Sequence, residues 1–241
     1  MVVGLARILC VDDQEFWRKL VKGRLNDHHV DAVDSLPAAV TLLNSESPYA
    51  VALVDLNLEG DSDGQGGELL DLLRTRYPET KRIVVTAYPP AGGIRRKIFE
   101  RYDVEEVIIK KDLELPDLLR AVQEALVMGS DALPQSLRLS RSAVRQRFRD
   151  WKRVQADQLR EDRREAEAHL ANASRVSTPS RQLAQERVTR AKGMEARFRQ
   201  RCAELRRTLA DISTETDLDA ALDALDRAED EFGDDELRND D

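Results

Sequence analysis

Asp12-Asp13, Asp55, Thr86 and the pair Lys110-Lys111 are the residues of this 241-residue chain whose types could do chemistry together. Each stands at the end of a short apolar run: ILCV before the acidic pair, AVALV before Asp55, RIVV before Thr86 and EEVII before the lysines. Three carboxylates brought to one place repel one another until a cation neutralises them. An all-oxygen donor set of this size suits Mg²⁺, which keeps several of its waters and takes few carboxylates. An ammonium beside them can hold one oxygen of a phosphoryl group, and a threonine hydroxyl can donate to another. The set therefore has the parts for moving a phosphoryl group onto a carboxylate nucleophile. Lys110 is the preferred lysine, because VII then fills the strand before it; Lys111 is the alternative.

The elements that must position these residues follow from periodicity. Runs at 5–11, 29–34, 50–54, 82–87 and 105–109 have the length of strands, and most are apolar enough to be buried on both faces. Between them lie segments of helical spacing. One covers 15–26 with Phe16, Leu20, Val21 and Leu25; others cover 37–43 after Pro37, 68–76 ahead of Pro78, and 94–101. A last one opens at Pro116 and carries Leu118, Leu119, Val122, Ala125 and Leu126. Five strands alternating with five helices predict an α/β fold, a doubly wound parallel sheet with right-handed crossovers and helices on both faces. Ligands of such sheets gather at the carboxyl ends of the strands, where the polar residues stand.

An acidic pair after strand 1, an aspartate after strand 3, a threonine after strand 4 and a lysine after strand 5 together resemble the receiver domain of two-component response regulators, over residues 4–128. The resemblance implies a flavodoxin-like five-stranded sheet with Asp55 as phosphoacceptor. It implies Mg²⁺ held by Asp13, Asp55 and the backbone carbonyl of Asn57, with Asp12 acting through a metal-bound water. Thr86 would move toward the new phosphoryl group, and Lys110, or Lys111, would contact it. The implied donor is a sensor histidine kinase or a phosphotransfer protein. No enzymatic activity is expected beyond self-phosphorylation and autodephosphorylation at Asp55. The chain departs from the family in four places. DSDGQGG lengthens the loop after Asp55, as a Gly/Asp turn or a second metal site. Lys111-Asp112 stands where the family has proline. Val107 replaces an aromatic residue three before Lys110, and Tyr88-Pro89-Pro90 follows the Thr86 turn. A receiver that no longer accepts phosphate and only binds partners is the other reading.

The remaining chain has a different character. The net charge of −8 divides into −7 over 1–135, +11 over 136–210 and −12 over 211–241, which calls for at least two functional parts. The expected domains are the receiver at 1–128, a linker at 129–136, a helical coiled-coil hairpin at 137–213, and an acidic helix with a disordered tail at 214–241. Leu137, Val144, Phe148, Trp151 and Leu159 form one stripe. Ala184, Val188, Ala191, Phe198, Cys202, Leu205, Leu209 and Ile212 step by four and three, interrupted by Glu195. This half is expected to dimerise or dock an output protein, with Phe148 and Trp151 as anchors. The alternative is nucleic-acid binding through the arginines of RSAVRQRFRDWKR and RFRQRCAELRR. ERVTRAKGMEARF is similar to the start of the RNA-binding antiterminator domain that follows some receivers, over little more than a dozen residues. The acidic end could also fold back on the basic hairpin. No metal-ligand or nucleophile–base spacing occurs in this half. No apolar run is long enough for a membrane span and none has signal-peptide organisation, so a cytoplasmic protein without membrane association is expected. Cys10 and Cys202, in different parts, predict no disulfide framework.

Overall fold

The computed structural model describes residues 5–45, 48–58, 64–87, 92–112, 115–127, 133–173 and 178–233. The chain divides into two compact units, Met1–Ser142 and Ala143–Asp241.

In the first unit, strands β1 (Arg7–Val11), β2 (His29–Val33), β3 (Val51–Val54), β4 (Lys81–Thr86) and β5 (Glu106–Ile109) form one sheet in the order β2-β1-β3-β4-β5. Every pairing is parallel. The helices between them are α1 (Glu15–Arg24), α2 (Leu36–Ser45), α3 (Gln65–Arg76) and α4 (Gly92–Tyr102), and α5 (Leu115–Val127) follows β5. The alternation expected from the apolar runs is what the chain forms.

Side chains on successive strand residues point to opposite faces, so each run feeds two cores. Leu9, Val11, Ala52, Val54, Val84, Val107 and Ile109 face α2, α3 and α4, where Ala39, Leu43, Leu69, Leu70, Leu73, Ile98 and Phe99 meet them. Ile8, Cys10, Val51, Leu53, Ile83, Val85 and Ile108 face α1 and α5, packing on Val21, Leu25, Leu118, Ala121, Val122 and Ala125. Cys10 is a buried free thiol, and burial pushes its pKa up to about 12, so it is inert packing.

The first unit extends past α5. Helix α6 (Gln135–Ala173) begins within it, and the boundary between the units falls inside α6, after Ser142. Leu139 packs against the α2–α3–α4 core. The linker expected at 129–136 falls partly outside the described residues, which resume at Leu133.

The second unit contains the rest of α6, α7 (Thr178–Ala210) and α8 (Glu215–Gly233). Helices α6 and α7 run antiparallel: Arg145 donates to the carbonyl of Leu209 at 2.8 Å, and Arg163 meets Glu195 at 3.2 Å. Every apolar residue of the four-and-three seam is buried, as are Val144, Phe148, Trp151 and Leu159 across from it. A third helix joins them. Ala221, Leu225 and Ala228 of α8 are fully buried, and Phe232 stacks edge-on to both Trp151 and Phe198. Such aromatic contacts add about 0.5–1.5 kcal/mol each beyond burial. Phe148 and Trp151, expected as anchors for a partner, are therefore spent on the unit's own core.

The acidic helix does fold back on the basic hairpin. Arg147 lies 2.7 Å from Asp226 and also pairs with Glu229, while Arg201 lies 3.4 Å from Glu231. No helix among the described residues is long and apolar enough to cross a membrane.

Candidate acidic site at the carboxyl end of the sheet

The strand order reverses direction between β1 and β3: the chain steps from β1 outward to β2, then returns across β1 to β3. Crossovers that leave in opposite directions open a crevice at the carboxyl ends of the two strands. The residues immediately after β1 and β3 are Asp12 and Asp55, and both are held by the sheet ladder continuing one residue further. The amide of Asp12 donates to Val33 at 3.1 Å, and that of Asp55 donates to Val11 at 2.9 Å. The side chains thus start from backbone that is as fixed as the strands.

One carboxylate oxygen from each of Asp12, Asp13 and Asp55 lies within 4.8 Å of the others. Asp12 and Asp55 are 4% and 2% exposed. The lysine after β5 is placed among them: Lys110 Nζ is 2.7 Å from Asp12 Oδ2 and 2.5 Å from Asp55 Oδ2. Lys110 is buried and opens a single 3₁₀ turn, whereas Lys111 is exposed. Thr86 closes β4, next to β3 in the sheet, and is 1% exposed. Asn57 donates its backbone N–H to Asp55 Oδ1 at 3.1 Å, so the turn after β3 bends back on the acid.

Burial raises the Asp12 pKa above the usual carboxylate value of 3.8, against the opposing pull of Lys110 and of the Gln14 amide, which donates to Oδ1 at 3.0 Å. Oδ1 of Asp13 is buried and has no hydrogen-bond partner in the protein. One ammonium cannot neutralise three carboxylates, and the Asp13 oxygen stands beside two more acids with no donor of the protein bonded to it. An all-oxygen donor set of this kind fits a hard divalent cation.

Three supports lie outside the sequence pattern. Arg18 of α1 donates to the carbonyls of Asp12 and Asp13 at 2.6 and 2.8 Å, tying the acidic turn to the helix that follows it. The Trp17 ring lies 5.6 Å from Lys110 Nζ, a cation–π contact from the same helix turn. Gly66 packs directly on the backbone after β3: a Cβ there would stand 2.2 Å from the Asp55 carbonyl oxygen and 2.6 Å from the Leu56 Cα. Any side chain at 66 would push the Asp55 turn out of place. Gly64, with φ +99°, starts α3 in the left-handed region that favours glycine. These glycines belong to the GQGG end of the long loop; residues 59–63, which include the second metal site considered above, lie outside the described residues, as do Tyr88, Pro89 and Pro90.

Residues 8–123 match the family description "Response regulator receiver domain". The chain is 31% identical over 148 residues to the photosynthetic apparatus regulatory protein RegA of Rhodovulum sulfidophilum, covering 61% of this chain and 75% of RegA. It is 35% identical over 95 residues to the response regulator protein FleR of Pseudomonas aeruginosa, a match that spans 39% of this chain and only 19% of FleR. Among solved structures, a CheY-like response regulator receiver domain protein from Methanospirillum hungatei aligns with a TM-score of 0.45 and 26% identity, over 51% of this chain and 94% of that one.

Proposed function

This chain belongs to the response regulators and carries their receiver domain at its N-terminal end, and from that premise we propose that it is a phosphorylation switch in which Asp55 accepts the phosphoryl group. The observation that carries the reading is the cluster of Asp12, Asp13 and Asp55 within 4.8 Å, with Lys110 bonded to two of them, at the carboxyl end of the sheet.

Asp55 is the nucleophile. One of its carboxylate oxygens attacks the phosphorus of a phosphohistidine on a sensor kinase or phosphotransfer protein. The P–O bond of an aspartyl phosphate forms as the P–N bond breaks, and the imidazole leaves with the electron pair. Lys110 holds a phosphoryl oxygen, and the Thr86 hydroxyl donates to another. Both act from buried positions, where a fixed charge or dipole stabilises developing charge more strongly than in water. Asp13 Oδ1, the Asp55 carboxylate and the Asn57 carbonyl would hold Mg²⁺, with Asp12 reaching it through water. When bound, the ion offsets the repulsion between the incoming phosphoryl group and the acids. Hydrolysis of the aspartyl phosphate returns the chain to its starting state, so the chemistry is that of a switch, not of an enzyme with an external substrate.

The helical unit is the output part, a coiled-coil module acting on a protein partner. Burial of the whole apolar seam supports a helical scaffold, and the acidic α8 seated against Arg147 and Arg201 weakens the nucleic-acid alternative by neutralising part of the basic surface.

The direct test is labelling by acetyl phosphate with Mg²⁺. The wild-type chain should incorporate one acid-stable, base-labile phosphoryl group, and Asp55→Asn should incorporate none. Retained labelling on another residue in Asp55→Asn would sink the assignment.

A further inference from the structure

Lys110 pairs with two carboxylates and with one neutral group. The carboxylates are Asp12, with Oδ2 at 2.7 Å, and Asp55, with Oδ2 at 2.5 Å. The neutral group is the indole of Trp17, with Nζ over the ring and 5.6 Å from its centre. That distance is within reach of a cation–π attraction, for which indole is the best of the aromatic rings. Lys110 is 6% exposed and Trp17 is half-buried, so little water competes for the ammonium.

The turn that places the acids also places the ring. The Gln14 amide donates to Asp12 Oδ1 at 3.0 Å, and the Trp17 amide donates to the Gln14 carbonyl at 3.1 Å. Arg18 reaches back to the carbonyls of Asp12 and Asp13. Phe16 stands edge-on to the indole, with ring centres 5.9 Å apart. The first turn of α1 therefore carries the indole in a fixed register to the acids.

Phosphorylation affects the partners of Lys110 differently. The Asp55 carboxylate gives up its own charge when it becomes the aspartyl phosphate, and the Asp12 carboxylate is shared with any cation in the site. Both hold the ammonium less strongly once the phosphoryl group and its ion are present. The quadrupole of a ring is the same before and after. It adds no negative charge against an incoming phosphoryl group.

We propose that Trp17 is a positioning residue for phosphoryl transfer, keeping the Lys110 ammonium at the acid site by a cation–π contact that persists when the carboxylates let go. The inference rests on Asp55 being the acceptor. Lys110 touches the phosphoryl oxygen, and Trp17 acts through Lys110 alone. The flexible lysine stem has many rotamers, and confining the ammonium beforehand spares the transition state the cost of ordering it.

The test uses the full chain with Mg²⁺ and acetyl phosphate, a donor with no ring to stack on the indole. Tryptophan bearing one to four fluorines is placed at position 17 alone. Fluorines drain the ring quadrupole and leave its shape nearly unchanged, so folding is preserved. The labelling rate should fall with each added fluorine, to about a tenth at the last, the size expected of a desolvated cation–π contact. The same series at Trp151, in the core of the helical unit, should leave the rate unchanged. A second readout does not depend on rate. The Lys110 methylene protons nearest the ammonium should resonate upfield of their ordinary position, shielded by the indole face. They should do so in the metal-free chain and also with Mg²⁺ and beryllofluoride, a mimic of the phosphoryl group on aspartate; in Trp17→Leu they should return to the ordinary position. A labelling rate indifferent to fluorine count overturns the positioning role and leaves the acceptor reading intact, as does an equal fall in the Trp151 series. Loss of the upfield shift when the mimic binds overturns the persistent hold on the ammonium. Absence of labelling in the unsubstituted chain overturns the acceptor reading and the role of Trp17 together.

Discussion

Asp13 and Glu195 each bury a carboxylate oxygen with no hydrogen-bond partner, and their surroundings are opposite. Around Asp13 stand two more carboxylates, with Lys110 bonded to Asp12 and Asp55. Around Glu195, in the seam of α7, stand two guanidinium groups: Arg163 at 3.2 Å and Arg199 at 3.0 Å, both on Oε2. The first cluster is short of positive charge and the second has enough. A buried polar group left over within an excess of its own sign marks a place completed by something from outside. The same defect inside a neutralised group is a local cost of packing. The sheet unit therefore concentrates unbalanced charge at one pole, whereas the Glu195 group of the helical unit is balanced by its own neighbours.

The sharpest way to break this contrast is to remove each acid in turn. Asp13→Asn deletes one of three like charges and a ligand position. Without divalent cations the variant should be as stable as the wild type or slightly more so. With Mg²⁺ at about a hundred times its dissociation constant, the wild type should gain about 2.7 kcal/mol of unfolding free energy, and the variant should gain little. Urea denaturation with and without the ion measures both. An Mg²⁺-independent loss of stability in Asp13→Asn would mean that the acid is structural.

The comparison also separates what could be read from the sequence from what could not. Asp12, Asp55, Thr86 and Lys110 are conspicuous because each interrupts an apolar run, and period-two burial on both faces of a parallel sheet puts such interruptions at one end. The five-stranded sheet follows from the same runs. Gly66 left a signal only in part: the GQGG stretch reads as a turn, but its approach to the Asp55 carbonyl depends on where α3 lands. Arg18 and Trp17 carried no signal, since an arginine and an aromatic residue on an amphipathic helix have many uses. Arg138 and Arg141 were the hardest. In a segment with net charge +11 they look like solvated arginines, and only the folded chain buries them against acids far away in sequence. Phe148 and Trp151 show the converse limit. The stripe was legible, but no pattern tells a face that binds another chain from one covered by Phe232 of the same chain.

Glu195 offers a second, smaller way to sharpen the contrast. Replacing a buried, paired charge with a hydrophobe of similar volume is often neutral or stabilising, because the desolvation cost disappears. Arg199 is 74% exposed at its side chain and Arg163 is 36% exposed, so both can turn to water once the acid is gone. Glu195→Leu should complete the seam and raise the stability of the helical unit by about 1 kcal/mol. Thermal unfolding followed at the helical circular dichroism band would show it. A loss of more than that would mean the acid specifies the pairing of α6 with α7.

The smallest effect belongs to an acid that lacks nothing. Asp217, partly exposed in the first turn of α8, accepts from the amides of Ser213 and Thr214 at 3.1 and 2.9 Å and from their hydroxyls at 3.0 and 2.8 Å. Thr214 Oγ1 in turn accepts from the Asp217 amide at 3.1 Å, which makes a reciprocal cap at the start of the helix. Hydrogen bonds led by that from the Thr214 hydroxyl hold the Asp217 pKa below its ordinary 3.8. A depressed folded pKa means that the unfolded chain binds the proton more readily. The cap's contribution is therefore complete above pH 3.8 and is lost as pH falls through the lowered value. Amide exchange in the first turns of α8, referenced to its last turns, should rise modestly in Asp217→Ala at neutral pH. The wild type should converge on the variant only well below pH 3.8. Convergence at higher pH would place Asp217 with Asp12, among the acids whose charged form the fold opposes.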